Sequence, residues 1–377
     1  MSVPVVAPAS WRSPLLGLLG AVVAEEPDVG VALHYGDPYR EQRHLSEDAA
    51  YVDQSARGVV RVRGADRLRW LHDLTSQHLT GLAPMSGTQA LLLTPHGHVE
   101  HHLVLADDGE SAWIDVEAGT APALVEFLDR MRFLLRVEPA DVSADWAVLS
   151  VAGPSSSTAV SAAEASVLSD ASVTSAAATA LVTDAIAPWP GGGFVRRRPW
   201  PDPAYDLVVP RGSLAETAAG LQRGGAVPAG LDAWTAMRVA ARQPRFGFET
   251  DHKTIPHEVG WLRTAVHLDK GCYRGQETVA RVHNLGRPPR RLVLLHLDGS
   301  DSVLPTHADE VVMDGRSVGF VTTAVRHYEL GPIALALVRR SVPDDAALVA
   351  GGAPARIEPA AVEDEVPVPL RPRLPRL

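Results

Sequence analysis

Hydrophobic and polar residues alternate over short stretches in the first half of the chain, and the period of this alternation predicts its secondary structure. Residues 58–64 (GVVRVRG) repeat with a period of two, which is typical of a half-buried strand. In the stretch that follows, Leu68, Leu71 and Leu74 recur at helical spacing and predict a short amphipathic helix. Residues 90–105 (ALLLTPHGHVEHHLVL) hold two apolar runs on either side of the turn sequence PHG, so they predict two strands joined by a turn.

The second half of the chain mixes helical and extended patterns in the same way. Residues 155–187 are dominated by Ala, Ser, Thr and Val and predict a weakly patterned helix followed by a variable connection. Residues 230–247 predict a helix that has Asp232 as its N-cap and Pro244 just beyond its end. From Arg291 onward, several short strands separated by turn residues predict a small antiparallel barrel. Hairpins in place of regular βαβ alternation predict an α+β fold.

The N-terminal residues 13–27 (SPLLGLLGAVVAEEP) resemble the apolar region of a secretory leader only in part. Arg12 is the single charge directly before them, and two glycines interrupt the apolar run, so a peripheral helix or a loose extension is the preferred interpretation. No other stretch approaches the roughly 20 consecutive apolar residues that a membrane-spanning helix needs. We therefore expect a soluble, cytoplasmic protein that has no membrane partner.

Composition narrows the functional classes. The chain has 377 residues, of which 35 are Lys or Arg and 45 are Asp or Glu, and this gives a net charge of −10. A negative protein surface is a poor match for the phosphate backbone of nucleic acid, so no DNA partner is expected. The single cysteine, Cys272, excludes an intrachain disulfide and indicates a reducing compartment.

Residues 270–277 (KGCYRGQE) concentrate reactive side chains. Lysine occurs at only one other position of the chain, so Lys270 marks a place where a compact ammonium group is needed. The two glycines of the segment allow a tight turn or the close approach of a ligand. Lys270 and Arg274 flank Cys272, and two cations near its sulfur would favour the thiolate form. The alternative is an inert, buried cysteine that packs as a small hydrophobic residue. The glycines and polar neighbours favour the functional interpretation.

Histidine and carboxylate residues raise the question of a metal site. In one continuous strand, the side chains of His96, His98, Glu100 and His102 would share a face and form a possible ligand set. A turn at Gly97 would split this set, and we favour the turn, so no metal site is predicted. A second polar set is ambiguous between cavity lining and solvated surface: Asp251, His252, His257 and Glu258.

The KGCYRGQE segment also carries a family resemblance. It resembles the K-G-C-Y-x-G-Q-E signature of the YgfZ family, folate-binding proteins that support iron–sulfur proteins, and it matches every fixed position: Lys270, Gly271, Cys272, Tyr273, Gly275, Gln276 and Glu277. More weakly, VRVRGADRLRWLHDLTSQHL resembles the opening of the related aminomethyltransferase, the T-protein of glycine cleavage. RVAARQPRFGFE, TIPHEVGW and AVHLDK follow in the same order as their counterparts in that superfamily. The resemblance implies an α+β, three-lobed aminomethyltransferase-like fold with a central channel, a tetrahydrofolate site in that channel and a C-terminal antiparallel β-barrel.

The predicted elements and the resemblance together divide the chain into six parts. The barrel corresponds to the third lobe of the family fold. The parts are an N-terminal extension (1–45), a first α+β lobe (46–142), a second α+β lobe (143–231), a return segment that carries KGCYRGQE (232–290), the β-barrel (291–360) and a loose tail (361–377).

Two segments depart from the enzyme branch of the superfamily. Where the T-protein has a carboxylate pair that includes its catalytic Asp, this chain has His101 and His102. The T-protein also has an R-x-E-x-G run whose Glu holds the N–H groups of the pterin, whereas here the run begins at Arg238 and has Ala240 at the Glu position. Aminomethyl transfer is therefore not expected. Folate binding would use a different carboxylate, and the candidates are Glu249, Asp251 and Glu258.

The resemblance gives the motif residues expected roles. Cys272 is the working thiol that meets a cluster, a sulfur species or a partner, and Lys270 and Arg281 supply fixed positive charge. One thiol cannot complete the cysteinyl ligation of a cluster, so any cluster contact is transient or shared with a second protein. Three arginines either attract the glutamate tail of a folate or a protein partner, or form a solvated face: Arg287, Arg290 and Arg291. The expected folate and loop set is Gly271, Tyr273, Gly275, Gln276, Glu277, Arg281 and Arg238.

The main hypothesis is a YgfZ-like folate-binding protein that supports iron–sulfur cluster assembly or repair. Its cofactor would be tetrahydrofolate or a derivative, its partners would be iron–sulfur proteins or assembly factors, and no metal would be bound permanently. An alternative from another class is a tetrahydrofolate-dependent aminomethyltransferase or demethylase. A third is a scaffold that kept the fold and binds no folate. The sequence leaves the client proteins, the oligomeric state and the occurrence of turnover open.

Overall fold

The computed structural model of the chain describes residues 11–167, 181–299 and 303–359. Its α-helices are α1 (Pro38–Glu47), α2 (Arg67–Leu74), α3 (Ala121–Arg130), α4 (Ser156–Val167), α5 (Leu214–Arg223), α6 (Leu231–Ala240), α7 (Trp261–Thr264) and α8 (Gln276–Leu285). Its strands are β1 (Val22–Val23), β2 (Ala32–His34), β3 (Ala50–Asp53), β4 (Gly58–Arg63), β5 (Ser86–Leu93), β6 (Val99–Asp107), β7 (Ser111–Val116), β8 (Glu138–Asp141), β9 (Trp146–Ala152), β10 (Ile186–Pro188), β11 (Phe194–Arg197), β12 (Ala204–Pro210), β13 (Val227–Ala229), β14 (Arg290–Leu297), β15 (Glu310–Met313), β16 (Arg316–His327), β17 (Gly331–Arg339), β18 (Leu348–Ala350) and β19 (Ala353–Ile357). The predicted loose tail, and part of the predicted connection in residues 155–187, lie outside the described residues.

The first sheet contains five antiparallel strands in the order β5-β6-β7-β4-β8. Because side chains alternate between the two faces of a strand, Val60 and Val62 of residues 58–64 point to the same side. They pack in a hydrophobic core with Leu71 of α2 and Leu124 of α3. The predicted strand and helix therefore form, because each presents an apolar side that the other covers. The predicted turn in the PHG sequence separates β5 from β6, and Gly97 at its centre has a φ of 81°.

The second sheet has the order β10-β11-β12-β9-β3-β13, and only the β13–β3 pair is parallel. Its strand β3 (Ala50–Asp53) precedes the first sheet in the chain but pairs with β9, so the chain enters the second sheet before it builds the first. Helices α4 and α5 cover this sheet, and Ala159, Leu207 and Leu221 are fully buried between them. The range 46–142, which we predicted as the first lobe, thus includes one strand of the second sheet.

The N-terminal segment is integrated into the protein rather than loose. Leu15 is only 4% exposed in the core of the second sheet, and Ser13 Oγ donates to Asp53 Oδ2 at 2.5 Å. Helix α1 reaches the barrel, where Gln42 Nε2 donates to the carbonyl of Arg326 at 3.1 Å. Leu15 and Ala24 are therefore core residues, whereas Leu19 of the same segment is 98% exposed. Among the helices of the described residues, none is both long and apolar enough to span a bilayer.

The C-terminal strands close a barrel in the order β14-β17-β16-β15-β18-β19, as predicted from their short, turn-separated pattern. The α+β class with a C-terminal antiparallel barrel is confirmed. Helix α6 begins after Gly230, so Asp232 lies in its first turn and is not its N-cap. This helix is fixed to the barrel by Arg238, whose Nη1 donates to Glu249 Oε2 at 2.7 Å and whose Nη2 donates to Thr323 at 2.9 Å.

A line of eight buried or half-buried charges of alternating sign joins the two sheets to the N-terminal segment and to the loop after α6. Arg196 of β11 illustrates the geometry, because its Nη2 donates to Asp115 of the first sheet at 2.9 Å and to Asp206 of the second at 2.5 Å. We call this line the central ion-pair chain. In order, its members are Asp28, Arg245, Glu117, Arg57, Asp115, Arg196, Asp206 and Arg198.

Burial makes each charge in this chain dependent on its neighbours. Burial alone would raise the pKa of Glu117, but the charges of Arg245 and Arg57 outweigh it and lower that pKa to about 2. Arg245 Nε donates to Glu117 Oε1 at 2.8 Å, and Arg245 Nη1 donates to Asp28 Oδ2 at 2.7 Å. Removing one charge leaves its partner buried without compensation, which is the costly way to break such a contact.

Glu117→Gln should lower the free energy of unfolding by about 3 kcal/mol at pH 7, because Arg245 then loses half of its compensation. The folded pKa of Glu117 lies below its ordinary value of 4.5, so its contribution is complete above pH 4.5 and is lost as the pH falls toward 2. Urea unfolding at pH 7 and pH 3 should therefore show a smaller difference between parent and variant at pH 3.

Glu126→Gln is the matched control, because Glu126 forms an exposed ion pair with Arg130 at 3.1 Å. Its effect on unfolding should stay within about 0.5 kcal/mol. Equal destabilisation by the two substitutions would contradict a structural role for the central ion-pair chain.

Candidate functional site

A central cavity of about 120 Å³ lies where the two sheets, the N-terminal segment and the end of α6 meet. The walls combine the central ion-pair chain with flat aromatic side chains, which offer stacking faces to a planar ligand. Trp200 and Trp234 meet edge to face, with ring centroids 5.6 Å apart. The aromatic lining is Trp200, Trp234, Phe246, Trp261 and His102.

The two histidines that replace the carboxylate pair lie on opposite sides of β6, as adjacent strand residues do. His102 lines the cavity, stacks on Trp261 with centroids 4.5 Å apart, and its Nε2 lies 2.9 Å from Gln89 Oε1. Burial, together with the charge of Arg57, lowers the pKa of His102 to about 3. His101 packs against Phe246 instead. The cavity therefore contains the neutral imidazole of His102 at the position where the T-protein sequence has a carboxylate.

The carboxylates considered for folate already have protein partners. Glu249 is fully buried and accepts from Arg238, from the backbone N–H of Arg245 and from Thr322. Asp251 and Glu258 both accept from Arg290, at 2.6 Å and 2.8 Å. The sequence analysis also predicted Arg238 as a residue of the folate site. The structure buries that side chain to 4% exposure at the edge of the central cavity and directs its guanidinium toward the barrel.

A second cavity, of about 450 Å³, opens between the ends of α6 and α8 and the barrel. Gln243 lines both cavities, so the two adjoin. We call the second one the basic cleft because its charged lining is mostly cationic: Arg242, Arg263, Arg287, Arg291 and Arg340, against Glu258 and Asp344. Arg287 and Arg291, two of the three arginines considered for an anionic partner, line it, and Arg290 is paired with Asp251 and Glu258. Burial lowers the pKa of His257, also in the lining, to about 4.

Lys270 anchors the KGCYRGQE loop to the C-terminal end of α2. Its Nζ donates to the carbonyls of Thr75 at 2.6 Å, Gln77 at 3.1 Å and His72, at the C-terminal end of α2. Three convergent carbonyls suit a compact ammonium with three donors, which explains why lysine is kept here in an arginine-rich chain. Burial lowers the pKa of Lys270 to about 8, so the group is mostly protonated at pH 7.

The remainder of the loop packs against the turn between β5 and β6. Arg274 Nη1 donates to Glu100 Oε2 at 2.8 Å. A side chain at Gly275, where φ is 83°, would place its Cβ 2.6 Å from the carbonyl oxygen of Thr94, so only glycine fits. The charged groups of Lys270 and Arg274 therefore both reach oxygen atoms of the first lobe. We expected these two cations to lie near the sulfur of Cys272 and favour its thiolate form. Their charged groups instead bind oxygen atoms of the first lobe.

Cys272 is exposed at the tip of this loop and is free. A Cβ at the neighbouring Gly271 would meet nothing within 4 Å, so the fold itself does not require that glycine. Gln276 Nε2 donates to the carbonyl of Lys270 at 3.2 Å and closes the loop, and Tyr273 lies with its ring centroid 5.1 Å from Lys270 Nζ. Glu277 and Arg281 are exposed on α8.

The KGCYRGQE loop and the central cavity are separate sites, and strand β6 contributes a residue to each. Residues 270–277 are absent from the lining of both cavities in the described part of the chain. Glu100, which anchors the loop, and His102, which lines the cavity, are two residues apart and project from the same side of the strand. The structure thus brings Lys270, Gly271, Cys272, Gly275 and Gln276 together but does not bring them to the cavity.

The histidine set considered for a metal does not assemble. The turn at Gly97 places His96 and His98 before β6, where their ring centroids lie 6.3 Å apart. Within residues 11–167, 181–299 and 303–359, no group of three or more His, Cys, Asp or Glu residues has metal-binding geometry.

Sequence reasoning missed the residues that form most of the cavity wall. Trp200 and Trp234 lie far apart in the chain, and Asp28 meets Arg245 across 217 positions. One feature of the sequence could have identified such residues: a single charged residue or tryptophan between apolar neighbours, such as Asp206 in AYDLVVP.

Comparison with known proteins agrees with this architecture. Residues 19–270 match the GCVT N-terminal domain, and residues 290–370 match the glycine cleavage T-protein C-terminal barrel domain. An aminomethyltransferase from Nostoc sp. is 26% identical over 328 residues, which cover 79% of each chain. An aminomethyltransferase from Geobacillus kaustophilus is 27% identical over 347 residues, which cover 88% of this chain and 91% of that protein.

A chloroplastic protein of Arabidopsis thaliana is 25% identical over 276 residues, or 72% of this chain, but the match spans only 61% of that protein. The glycine cleavage system aminomethyltransferase T from Bartonella henselae has the same fold, with a TM-score of 0.79 at 18% identity over 93% of this chain and 96% of that one. Because the N-terminal domain match extends over more than half of its residues and the barrel match follows it, this chain belongs to the GCVT (glycine cleavage T-protein) family.

Proposed function

We propose that this protein binds a reduced folate and supports iron–sulfur proteins through Cys272, in the manner of the YgfZ branch of its family. The observation that carries the proposal is the exposed thiol, presented on a loop that three carbonyl contacts of Lys270 hold in place. Gly271 beside it leaves space that the fold does not use, which suits the approach of a partner.

The chemistry of the central cavity fits a folate. A pterin is planar and stacks on aromatic faces such as those of Trp234 and Trp261. A folate also ends in carboxylates, and the adjoining basic cleft contains Arg287 and Arg340, side chains for which no carboxylate partner exists in the described part of the chain. A bound reduced folate would supply one-carbon or redox chemistry. The residues of this chain would orient its ring and exclude water.

Aminomethyl transfer is the second candidate, because the Nostoc and Geobacillus relatives are named aminomethyltransferases. Such a reaction uses a base beside the substrate amine. Two β6 side chains line the cavity, Val104 and His102, and the pKa of about 3 makes His102 a weak base. The nearby carboxylates Asp115 and Glu117 are bound to arginines. Asp184 is the one carboxylate of the cavity lining without an ion-pair partner in the described residues, and it lies outside β6. The replacement of the β6 carboxylate pair by histidines therefore favours the folate-binding assembly role over transfer. Tetrahydrofolate-dependent turnover of a methylated or aminomethylated amine would reverse this preference.

Titration calorimetry with tetrahydrofolate and 5-formyltetrahydrofolate tests the folate site. We expect saturable binding in the micromolar range, roughly −8 kcal/mol, because the aromatic faces and the basic cleft engage opposite ends of the ligand. Arg287→Gln should weaken binding of the folate more than that of the pterin alone. An absence of heat at millimolar ligand would favour the scaffold alternative.

Cys272→Ser should abolish support of iron–sulfur enzymes and leave the melting temperature unchanged, since the thiol is exposed. The measurement is the reactivation of an oxidatively damaged [4Fe–4S] dehydratase by the purified protein, with iron, sulfide and thiol reductant supplied. Gly271→Ala is the companion variant: it should fold normally and reduce support only if a partner approaches the loop closely. Full activity of Cys272→Ser would exclude the thiol role.

Lys270→Met should destabilise the protein by about 2–3 kcal/mol, because three carbonyls lose a charged donor. Lys270→Arg should not restore stability, because a planar guanidinium cannot converge on the same three oxygens. Chemical unfolding of both variants is compared with Lys253→Met, a matched control at the exposed second lysine. Equal stability of Lys270→Met and Lys253→Met would refute the anchoring role.

A further inference from the structure

The central cavity contains one carboxylate that the protein itself does not use. Five carboxylates line this cavity, and four of them, Asp28, Asp115, Glu117 and Asp206, are members of the central ion-pair chain. The fifth is Asp184. Within the residues that the structure describes, its side chain accepts no hydrogen bond and forms no ion pair.

The backbone of Asp184 is held in an uncommon conformation by both sheets. Its φ is 64°, in the left-handed region that few residues other than glycine, asparagine and aspartate adopt. Its N–H donates to the carbonyl of Arg197 at 3.0 Å, and its carbonyl accepts from the N–H of Gly87 at 2.6 Å. Strained residues fixed in this way are concentrated at binding sites, where the surrounding structure dictates the position of the side chain.

Among the described residues, the Asp184 carboxylate lies near two cations but receives no hydrogen bond from them. Burial raises the pKa of Asp184, and the charges of Arg196 and Arg198 act in the opposite direction. Both guanidinium groups, however, give their hydrogen bonds to other acceptors, chiefly Asp206. A partly desolvated carboxylate that lacks donors is unfavourable, and a ligand that supplies two N–H groups would remove this cost.

We propose that Asp184 is the carboxylate that recognises the ligand in the central cavity, by accepting two adjacent N–H donors from a flat heterocycle of the 2-aminopyrimidinone type. The assignment rests on the proposed function, in which the heterocycle is the pterin ring of a reduced folate. The amino group and the neighbouring ring N–H of that edge match the two oxygens of one carboxylate. Trp200 and Trp234, which line the same cavity, then provide aromatic faces for the ring.

Asp184→Asn tests the assignment, because asparagine tolerates the same backbone conformation and keeps the side-chain shape. In titration calorimetry with tetrahydrofolate, the variant should bind roughly 10- to 100-fold more weakly than the parent protein, the usual effect of losing a charged hydrogen-bond acceptor. Its melting temperature without ligand should be equal to or higher than that of the parent, since an unpartnered charge is removed. Asp202→Asn, which removes an exposed carboxylate paired with Arg197, is the matched control and should leave the affinity unchanged.

A second ligand makes the test independent of the folding of the variant. A tetrahydrofolate analogue with a methyl group in place of the 2-amino group should bind the parent protein at least about 10-fold more weakly than tetrahydrofolate. Asp184→Asn should lose most of this preference. Equal affinities of parent and Asp184→Asn for tetrahydrofolate, or equal affinities of the parent for both ligands, would overturn the assignment while folate binding itself stands. An absence of tetrahydrofolate binding by the parent would overturn the proposed folate site and the assignment together.

Discussion

The central ion-pair chain is the constraint on which the arrangement of the two sheets depends. Charges removed from water are costly, and alternating neighbours at hydrogen-bond distance are what compensates that cost. Because Arg196 contacts both sheets and Arg245 contacts both the first lobe and Asp28 in the N-terminal segment, the two sheets and this segment cannot shift relative to one another without leaving a buried charge uncompensated. The contribution is to geometry more than to net stability, since a buried ion pair seldom exceeds an apolar pair of the same size.

This constraint also decides what a ligand encounters. The charges of the chain cancel one another inside the protein, so recognition in the central cavity falls to aromatic faces, to the neutral His102 and to Asp184. The basic cleft differs, because its arginines outnumber its carboxylates and Glu258 is already bound to Arg290. A ligand that is planar and nearly neutral at one end and anionic at the other matches this division of charge.

The sequence predicted what depends on nearby residues and missed what depends on distant ones. The strand at residues 58–64, the turn at Gly97 and the barrel follow from local alternation and turn chemistry, and all are present. The KGCYRGQE segment was predicted to be functional from the sequence. The reason for its lysine, three carbonyls almost 200 positions away, has no local signature. The N-terminal segment was predicted as a peripheral helix or a loose extension because two glycines interrupt its apolar run and a single arginine precedes it. The burial of Leu15 is decided by the second sheet, which is built from residues far along the chain, so the local sequence does not reveal it.

The seating of the loop decides where its thiol can react. For Cys272 to enter the central cavity, Lys270 would have to release three carbonyls and Gly275 would have to leave its contact with the turn between β5 and β6. At roughly 1.5 kcal/mol or more for each charged hydrogen bond, the open form would make up less than about 1% of the molecules. The thiol is therefore accessible from the surface, and in the proposed function a partner would have to come to it. A folate in the cavity would influence the thiol only through shared rigid elements, of which β6 is the most direct, because Glu100 contacts the loop and His102 lines the cavity.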